Sequence, residues 1–317
     1  MKRVFVTGGS GFVGRRILEV LRDRGIATSA LARSDTSAAA VTERGATPVR
    51  GDLDDEAAME AGMRGCDIVI HAAAHVEEHG PLAEFMRINV DGTKHALASA
   101  RAAGVARFAL ISTEAVLADG KPIVGADETR PYPAGAAGPY ALTKRLQEAA
   151  VIAANAPGFA TVAVRPRFIW GANDTSLLPG LVDMIERGKF AWIGGGRFPT
   201  STCHVDNVVE GALLAAERGT PGGIYFLTDG EPVEFRAFLT ELIATQHVDA
   251  GSRSVPRWVA KLAAGVTAWM KHPPVSKLAV AIVGGEVTVI DAKARRELGY
   301  TSAMTRERGL AEMRPLR

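Results

Sequence analysis

The sequence has few cysteines, almost no net charge and no long apolar run. Its 317 residues include only Cys66 and Cys203, which lack the spacing of a metal site built from cysteines and histidines. We therefore expect no disulfide framework, no bound metal and two ordinary thiols of a cytoplasmic protein. Apolar stretches stay shorter than the about 18 residues of a membrane-spanning helix, and the one after Met1-Lys2-Arg3 is too short for a signal peptide.

The charge balance excludes a further class of partner. The chain carries 37 Lys plus Arg against 35 Asp plus Glu, a net charge of +2, and the two signs are interspersed. A nucleic-acid-binding domain would gather an excess of basic residues on one face, so we expect no nucleic acid partner. Apolar residues make up 47% of the chain, which is enough for one large α/β domain or two closely packed ones.

Short apolar runs alternate with longer helical patterns through the first half of the chain. This order predicts an α/β fold with a doubly wound parallel sheet, whose ligand crevice lies at the carboxyl ends of the strands. The alternation weakens after Trp170, so we expect a dinucleotide-binding domain over 1–170 and a smaller, partly interleaved substrate lobe over 171–317. The predicted strands are Val4–Val6, Thr28–Leu31, Pro48–Arg50, Ile68–His71, Phe108–Ile111 and Thr161–Val164, and the predicted helices are Val13–Arg24, Glu56–Met63, Leu82–Ala103 and Tyr140–Asn155.

A glycine-rich segment stands between the first predicted strand and the first predicted helix. Without a Cβ, its glycines allow a tight turn and a close approach of the backbone to a pyrophosphate. The start of the helix adds free N–H groups that attract phosphate oxygens. The pattern predicts a dinucleotide site formed by Gly8, Ser10, Gly11, Phe12, Val13 and Gly14.

The end of the second predicted strand indicates which dinucleotide binds. An acidic residue there would bind the ribose 2′-hydroxyl of NAD, but Ala32 occupies that position and is followed by Arg33 and Ser34. These two residues suit a 2′-phosphate, so NADP(H) is the preferred cofactor and NAD(H) the alternative. Arg33 could equally be a solvated loop cation. Asp52, next to Leu53, is placed to accept from the adenine amino group or to cap a turn.

Tyr140 and Lys144 lie one helical turn apart on the same helix face. The positive charge of Lys144 should lower the pKa of Tyr140 from about 10 toward the range of a general acid. Upstream, Thr113 follows a predicted strand, where a doubly wound fold binds substrate. A hydroxyl in a plain β-turn is the alternative interpretation of Thr113.

Six motifs together carry a resemblance that covers nearly the whole chain: TGGSGFVG, HAAAH, NVDGT, STEAV, YALTK and RPRFIWG. With them the sequence resembles the extended short-chain dehydrogenase/reductase family, which implies a Rossmann fold. By this resemblance Tyr140 is the acid/base, Lys144 orients the nicotinamide ribose and Thr113 hydrogen-bonds the reacting oxygen. The resemblance also implies cofactor contacts from Ala72, Ala73, Ala74, Asn89, Pro166 and Arg167.

The same resemblance implies a homodimer in which Leu82–Ala103 and Tyr140–Asn155 pair with their copies. Small residues on these helices would let the backbones approach closely, although they could equally pack on the sheet. They are Ala96, Ala100, Ala149, Ala150 and Ala153.

Departures from the nucleotide-sugar enzymes of the family narrow the resemblance. Leu117-Ala118 replaces their usual Tyr-Gly, Thr200 stands where an arginine clamps the diphosphate, and Glu114-Ala115 keeps only one carboxylate of the dehydratase pair. The sequence looks more like the 3β-hydroxysteroid dehydrogenase branch. We therefore expect NADPH-dependent reduction of a ketone on a hydrophobic substrate, such as a sterol-like or long-chain keto lipid. A nucleotide-sugar epimerase or reductase and a non-catalytic NADP(H)-sensing regulator are the alternatives.

The segment 253–277 is basic and amphipathic, and no Asp or Glu occurs from Ala250 to Gly285. Two interpretations stay open: a helix in peripheral contact with an anionic membrane, or a lid helix whose apolar face packs on the substrate lobe. The cations are Arg253, Arg257, Lys261, Lys271 and Lys277, and the apolar residues are Trp258, Val259, Leu262, Val266, Trp269 and Met270.

Overall fold

The computed structural model describes residues 1–76, 80–267, 270 and 276–314, which form two layered lobes. The strands are β1 Arg3–Thr7, β2 Ala27–Ala32, β3 Thr47–Arg50, β4 Ile68–His71, β5 Arg107–Ile111, β6 Ile123–Ala126, β7 Ala160–Pro166, β8 Ile169–Trp170, β9 Trp192–Ile193, β10 Pro199–Thr200, β11 Cys203–His204, β12 Gly223–Leu227, β13 Val233–Glu234, β14 Ser254–Val255 and β15 Val287–Val289. The helices are α1 Phe12–Asp23, α2 Asp35–Glu43, α3 Glu56–Met63, α4 Leu82–Phe85, α5 Gly92–Ala102, α6 Pro139–Ala153, α7 Leu178–Glu186, α8 Val205–Arg218, α9 Phe235–Ala244, α10 Arg257–Val266, α11 Lys277–Val283, α12 Ala292–Leu298 and α13 Arg306–Met313.

A parallel sheet of seven strands forms the larger lobe, in the order β12-β7-β5-β4-β1-β2-β3. From β1 the chain first adds β2 and β3 on one side of the sheet and then β4, β5, β7 and β12 on the other. The crossovers on the two sides diverge, which leaves a crevice at the carboxyl ends of β1 and β4. The predicted doubly wound Rossmann sheet is therefore confirmed. Each predicted strand lies within an observed one, whereas α2 and β12 had no counterpart in the predictions.

The larger lobe takes elements from both halves of the sequence. β12 adds to the edge of the sheet by pairing in parallel with β7, from Gly223 opposite Val162 to Leu227 opposite Pro166. α8 packs on α1 and on the neighbouring strands, and its apolar residues join the core beneath the sheet. The division at residue 170 stays a prediction, but the sheet itself continues beyond it.

The smaller lobe contains a four-stranded sheet, in the order β13-β10-β15-β6, and an aromatic cluster. In that cluster Phe168 and Trp170 lie edge-on to Phe238, and Trp192 lies edge-on to Phe235. Since β6 comes from the first half of the chain, the two lobes are interleaved. Phe168 and Trp170 follow β7 directly, so the smaller lobe starts where the crevice opens.

The region predicted as one helix over Leu82–Ala103 is helical but interrupted. A π-helical turn, Met86–Asp91, joins α4 to α5, and such turns are frequent at functional sites. The expectation that Ala96 and Ala100 line a dimer interface is wrong, because both are fully buried against the chain's own sheet. On α6, Ala149 and Ala150 are half-buried and Ala153 is exposed.

Candidate active site

The glycine-rich loop connects β1 to α1 at the crevice. A Cβ added to Gly8 would lie 2.6 Å from the amide nitrogen of Ala73, and one added to Gly14 would lie 2.0 Å from the Gly8 carbonyl oxygen. Gly11 begins α1 without any side-chain cap in the described part of the chain. The first N–H groups, those of Phe12 and Val13 among them, therefore face the crevice as donors, and they fit the phosphates of a dinucleotide.

The adenosine side of the crevice is formed by the ends of β2 and β3. Arg33 is exposed just after β2, and Ser34 caps α2 by accepting from the Ser37 amide at 3.2 Å. Arg50, which is paired with Ala32 in the sheet, lies 2.9 Å from Asp35. This corner therefore holds two cations and a helix N-terminus.

Asp52 and Leu53 follow β3 at the floor of the same corner. One Asp52 oxygen accepts from the Asp54 amide at 3.2 Å, so Asp52 does stabilise a turn. Leu53 is buried against Gly92, where an added Cβ would lie 2.8 Å from the leucine side chain. A contact of either residue with adenine stays a prediction.

The segment after β4, Ala72 to Ala74, is half-buried and lies beside the glycine-rich loop. The Ala73 amide donates to the Thr7 hydroxyl at 3.2 Å. The fully buried Asn89, in the π-helical turn, accepts from the His75 amide at 2.7 Å and donates to the Thr143 hydroxyl at 3.1 Å. Asn89 thus ties this segment to α6, the helix of Tyr140 and Lys144.

Lys144 is almost completely buried on α6, which starts at Pro139 after Gly138 in a left-handed conformation (φ 114°). The ammonium donates to the Ile111 carbonyl at 2.9 Å and to Gln147 Oε1 at 2.5 Å. An ammonium has three hydrogens, so one is left to bind a cofactor hydroxyl. Burial lowers the pKa of Lys144 to about 7, and the charge of Glu148 opposes that effect.

Tyr140 lies one turn before Lys144 and is partly buried. Burial raises the pKa of its phenol above the usual value, and the negative charge of Glu114 raises it further. The expectation that Lys144 brings this pKa down is wrong here, because burial and Glu114 dominate. Tyr140 is therefore held in its protonated form.

Thr113 and Glu114 start a 3₁₀ turn at the end of β5. The Thr113 hydroxyl donates to Glu114 Oε2 at 2.8 Å and accepts from the Ala115 amide at 3.2 Å. Arg167 Nη1 lies 3.1 Å from Glu114 Oε1, and both side chains are nearly inaccessible to solvent. Sequence reasoning gave no role to Glu114, although its place directly after Thr113 was the available signal.

Arg167 follows Pro166, the last residue of β7. Its Nη2 donates to the Thr200 hydroxyl at 3.2 Å and to the Ile282 carbonyl at 2.6 Å. The guanidinium therefore joins the end of the sheet to β10 and α11. That Pro166 and Arg167 also lie near the nicotinamide stays a prediction.

A buried polar chain connects the glycine-rich loop to Lys144. His71 lies 2.7 Å from the Thr7 hydroxyl and 2.8 Å from that of Thr93, and Gln147 donates to Thr93 at 2.8 Å. Burial, and then the charge of Lys144, lowers the pKa of His71 to about 3. Sequence reasoning missed His71, Thr93 and Gln147, although His71 opens the HAAAH motif and Gln147 follows Lys144 by three residues.

Comparison with known proteins identifies the family. The sequence model of the 3-beta hydroxysteroid dehydrogenase/isomerase family matches residues 5–257. The chain belongs to this family. It is therefore an NAD(P)-dependent oxidoreductase of the extended short-chain dehydrogenase/reductase type, as the sequence motifs predicted.

Two relatives match over almost their whole length. A 4-hydroxy-2-methyl-3-oxo-4-farnesyl-3,4-dihydroquinoline-1-oxide ketoreductase from Stigmatella aurantiaca is 50% identical, covering 98% of this chain and 96% of the relative. A decarboxylating sterol-4-alpha-carboxylate 3-dehydrogenase from Dictyostelium discoideum is 33% identical, covering 99% of this chain and 100% of the relative. The family member described here is thus similar to enzymes that are named for oxidoreduction of hydrophobic molecules.

A solved structure shares the fold at lower identity. The dTDP-glucose 4,6-dehydratase DesIV from Streptomyces venezuelae, crystallised with NAD, superimposes with a TM-score of 0.78 at 23% identity. The match covers 98% of this chain and 95% of that one. At this identity the likeness establishes the common Rossmann architecture.

The remaining expectations concern metals, thiols and membranes. Cys66 and Cys203 are buried free thiols. Within the described residues, no cluster of three or more His, Cys, Asp or Glu side chains could hold a metal ion. No helix in the described ranges has the length and apolar character needed to cross a bilayer.

The burial of His71 predicts a pH dependence of stability. Below pH 6.5 the unfolded chain binds a proton at His71 that the folded protein does not bind until about pH 3, so the free energy of unfolding falls as the pH falls. From pH 7 to pH 5 the loss due to His71 should be about 2 kcal/mol. Urea unfolding at both pH values measures it.

His71→Asn should have a lower free energy of unfolding than the wild type at pH 7. Between pH 7 and pH 5 it should lose about 2 kcal/mol less than the wild type loses. The control His247→Asn removes an exposed histidine whose backbone is left-handed, a conformation that asparagine tolerates. This control should lose as much free energy of unfolding between pH 7 and pH 5 as the wild type does. Equal losses in wild type and His71→Asn would contradict the prediction.

Proposed function

We propose that this enzyme reduces a ketone on a hydrophobic molecule with NADPH, and that Tyr140 donates the proton. The observation that carries the proposal is the position of Tyr140, one helical turn before the buried Lys144, which bonds the end of β5 at the crevice. A general acid of this kind must be protonated before the reaction. The raised pKa of Tyr140 meets that requirement over a wide pH range.

The surroundings of Tyr140 support a hydrophobic substrate. Tyr140 packs against a cluster of small and aliphatic side chains from the turn after β5, the loop before α6, α6 itself and α11. They are Ala118, Ala137, Ala141, Leu278 and Ala281. A crevice beside this apolar cluster would stabilise an apolar substrate by burial, and the cluster offers no polar group to a sugar.

The names of the two relatives indicate a more specific substrate class. One name places the oxo group at C3 beside a C4 that carries a farnesyl chain. The other places the reacting C3 beside a C4 that carries a carboxylate. We propose that the substrate of this enzyme is likewise a ketone whose neighbouring carbon is substituted, with a sterol-like or long-chain hydrophobic body.

In the proposed mechanism, the glycine-rich loop and Lys144 would hold the nicotinamide cofactor, which would supply the hydride for the carbonyl carbon. Tyr140 donates its hydroxyl hydrogen to the carbonyl oxygen, so that the C=O bond becomes a carbinol and Tyr140 becomes a phenolate. The ammonium of Lys144, one turn away, would bind the nicotinamide ribose with its remaining hydrogen. Thr113, whose hydrogen is already donated to Glu114, accepts the new alcohol hydroxyl.

The nucleotide-sugar alternative has no support at the position that matters. Thr200, where those enzymes carry an arginine for the diphosphate, is completely buried and bonds Arg167. A neutral buried hydroxyl cannot replace a bidentate guanidinium. The dehydratase alternative is disfavoured as well, since Ala115 takes the place of the second carboxylate.

The preference for NADP(H) rests on the corner after β2. Ala32 cannot accept from a ribose 2′-hydroxyl, while the exposed Arg33 at the start of α2 offers a cation to a 2′-phosphate. Arg50 is already paired with Asp35. NAD(H) should still bind through the glycine-rich loop, but more weakly.

Removing the phenol hydroxyl tests the proposed acid. Tyr140→Phe should lower kcat for ketone reduction by about 100-fold or more, the scale of a positioned general acid, and should leave dinucleotide binding intact. Tyr225→Phe is the matched control, because the Tyr225 hydroxyl bonds the Thr220 amide and Glu297, which have no part in the proposed reaction. Turnover of Tyr140→Phe close to that of the control would exclude Tyr140 as the proton donor.

Reversing one charge tests the cofactor preference. Arg33→Asp should weaken NADPH binding by removing a charge-assisted pair and adding repulsion, and it should strengthen NADH binding. Titration calorimetry with both dinucleotides measures the two changes. Arg24→Asp, at the exposed far end of α1, should alter neither affinity. Equal affinity of the wild type for NADH and NADPH would refute the preference.

We also propose that α10 brings this cytoplasmic enzyme into peripheral contact with an anionic membrane. Trp258, Leu262 and Val266 recur every four residues along α10 and are 69%, 60% and 63% exposed. The opposite face of α10 buries Ala260 and Ala264 against α11. The lid interpretation accounts for that buried face but leaves the exposed apolar stripe without a role.

The charges around the stripe support an anionic lipid surface as its partner. Arg253, Lys261 and Lys277 are exposed nearby. Each cation near such a surface contributes about 1 kcal/mol, and Trp258 would enter the interface. Trp269 and Lys271, which belonged to the same prediction, lie outside the described residues.

Sedimentation with vesicles tests the membrane contact. The wild type should bind vesicles rich in anionic lipid at low salt, and binding should decrease as salt screens the cations. Trp258→Ser with Lys261→Glu should abolish binding without changing reduction of a water-soluble ketone. Lys121→Glu, which removes an exposed cation elsewhere, should bind like the wild type. Absence of wild-type binding at low ionic strength would refute the contact.

A homodimer through α6 is the last part of the proposal. Leu146 is 38% exposed on this helix, next to the small residues Ala149, Ala150 and Ala153. Light scattering should give about twice the 33.4 kDa mass of the chain. The mass of a monomer at micromolar concentration would contradict it.

A further inference from the structure

Glu114 is a buried carboxylate that the proposed reaction does not use, although it lies against the reacting groups. It is 3% exposed, and each of its two oxygens has a defined partner. One accepts the Thr113 hydroxyl at 2.8 Å and the other pairs with Arg167 at 3.1 Å. A buried ion pair is costly to desolvate and seldom adds much stability, so this pair needs another explanation.

The first consequence concerns the direction of the Thr113 hydroxyl. A hydroxyl has one hydrogen and two acceptor lone pairs. The hydrogen of Thr113 is donated to Glu114, and one lone pair accepts from the Ala115 amide. Thr113 therefore offers only a lone pair to the crevice, which can accept from an alcohol but cannot donate to a ketone. Tyr140 remains as the donor to the ketone oxygen.

The second consequence concerns the charge of Tyr140. Of the charged groups on the neighbouring elements, Glu114 in the turn after β5 acts on the phenol. Arg167 is paired to Glu114 from the end of β7, and Lys144 lies one turn along the same helix. The Leu278 and Ala281 side chains of α11 bring no charge to this cluster. The negative charge of Glu114 makes the phenolate less favourable, and it is the largest contribution to the raised pKa of Tyr140 after burial.

We propose that Glu114 is a positioning residue that fixes the Thr113 hydroxyl and holds Tyr140 in its proton-donating form, which extends ketone reduction to higher pH. This inference rests on the proposed function. Arg167 has the supporting part, since it pairs with Glu114 and is itself held in place by its bonds to Thr200 and Ile282.

The test replaces the carboxylate by an amide of the same shape. In Glu114→Gln, Tyr140 should ionise at lower pH, by about one unit, and the alkaline limb of kcat for ketone reduction should move down with it. On that limb the rate should fall by up to about tenfold relative to wild type, while KM changes little. Tyrosinate absorbance during a pH titration, after subtraction of the matching Tyr140→Phe protein, reports the ionisation without substrate.

Glu148→Gln is the matched control. Glu148 is also fully buried and paired with an arginine, at 2.6 Å from Arg165, but it does not contribute to the ionisation of Tyr140. It should therefore lose stability while leaving the Tyr140 titration in place. If Glu114→Gln fails to fold, Glu114→Gln with Arg167→Gln removes both charges and should still ionise Tyr140 earlier than wild type.

An unchanged Tyr140 titration and an unchanged alkaline limb in a folded Glu114 variant would overturn the inference. A different result would show that the proposed function is wrong. In that case Tyr140→Phe would reduce ketones as fast as the wild type, whatever the titration of Tyr140 in the Glu114 variants.

Discussion

The ammonium of Lys144 is withdrawn from solvent, and the arrangement of the crevice depends on how that charge is held. Two of its hydrogens are bound by the Ile111 carbonyl and Gln147, and Gln147 is held in turn by Thr93 and His71. Because each link is buried, a missing partner would leave an unpaired polar group inside the core. This series of hydrogen bonds ends at Thr7, where the glycine-rich loop begins, so the loop and α6 are fixed relative to one another.

Besides the buried ammonium of Lys144, the structure contains two buried carboxylate–arginine pairs. Glu148 pairs with Arg165, and Glu114 pairs with Arg167. Both arginines come from β7 or the residue after it, and both carboxylates lie near the catalytic pair. Their effects differ, because Glu148 favours the charged form of Lys144 while Glu114 disfavours the charged form of Tyr140. The pKa values of Tyr140 and Lys144 are thus influenced by different carboxylates. This suits a site that holds a proton on one residue and a positive charge on the other.

The sequence predicted the sheet, the turn of the glycine-rich loop and the shared helix of Tyr140 and Lys144 because these depend on local patterns. Short apolar runs, the glycine spacing and the four-residue separation of Tyr140 and Lys144 are all visible within about ten residues. The return of Gly223–Leu227 to the sheet and the pairs of Glu114 and Glu148 depend on distant partners, which no local pattern indicates. The direction of the Tyr140 pKa was wrong for the same reason, since burial and Glu114 outweigh the neighbour that the sequence reveals. Likewise, the sequence allowed Ala96 and Ala100 of α5 to line a dimer interface or to pack on the sheet. The structure decides between these, because both residues lie in the hydrophobic core.

Isotope transfer tests the proposed ketone reduction most directly. The wild-type enzyme would be incubated with NADPH deuterated at the transferable position and a ketone that carries a hydrophobic substituent on the neighbouring carbon. Mass spectrometry and NMR then locate the label. The account predicts one deuterium on the new carbinol carbon, with none on the substituted neighbour. A product without label, or a label on the neighbouring carbon, would contradict it.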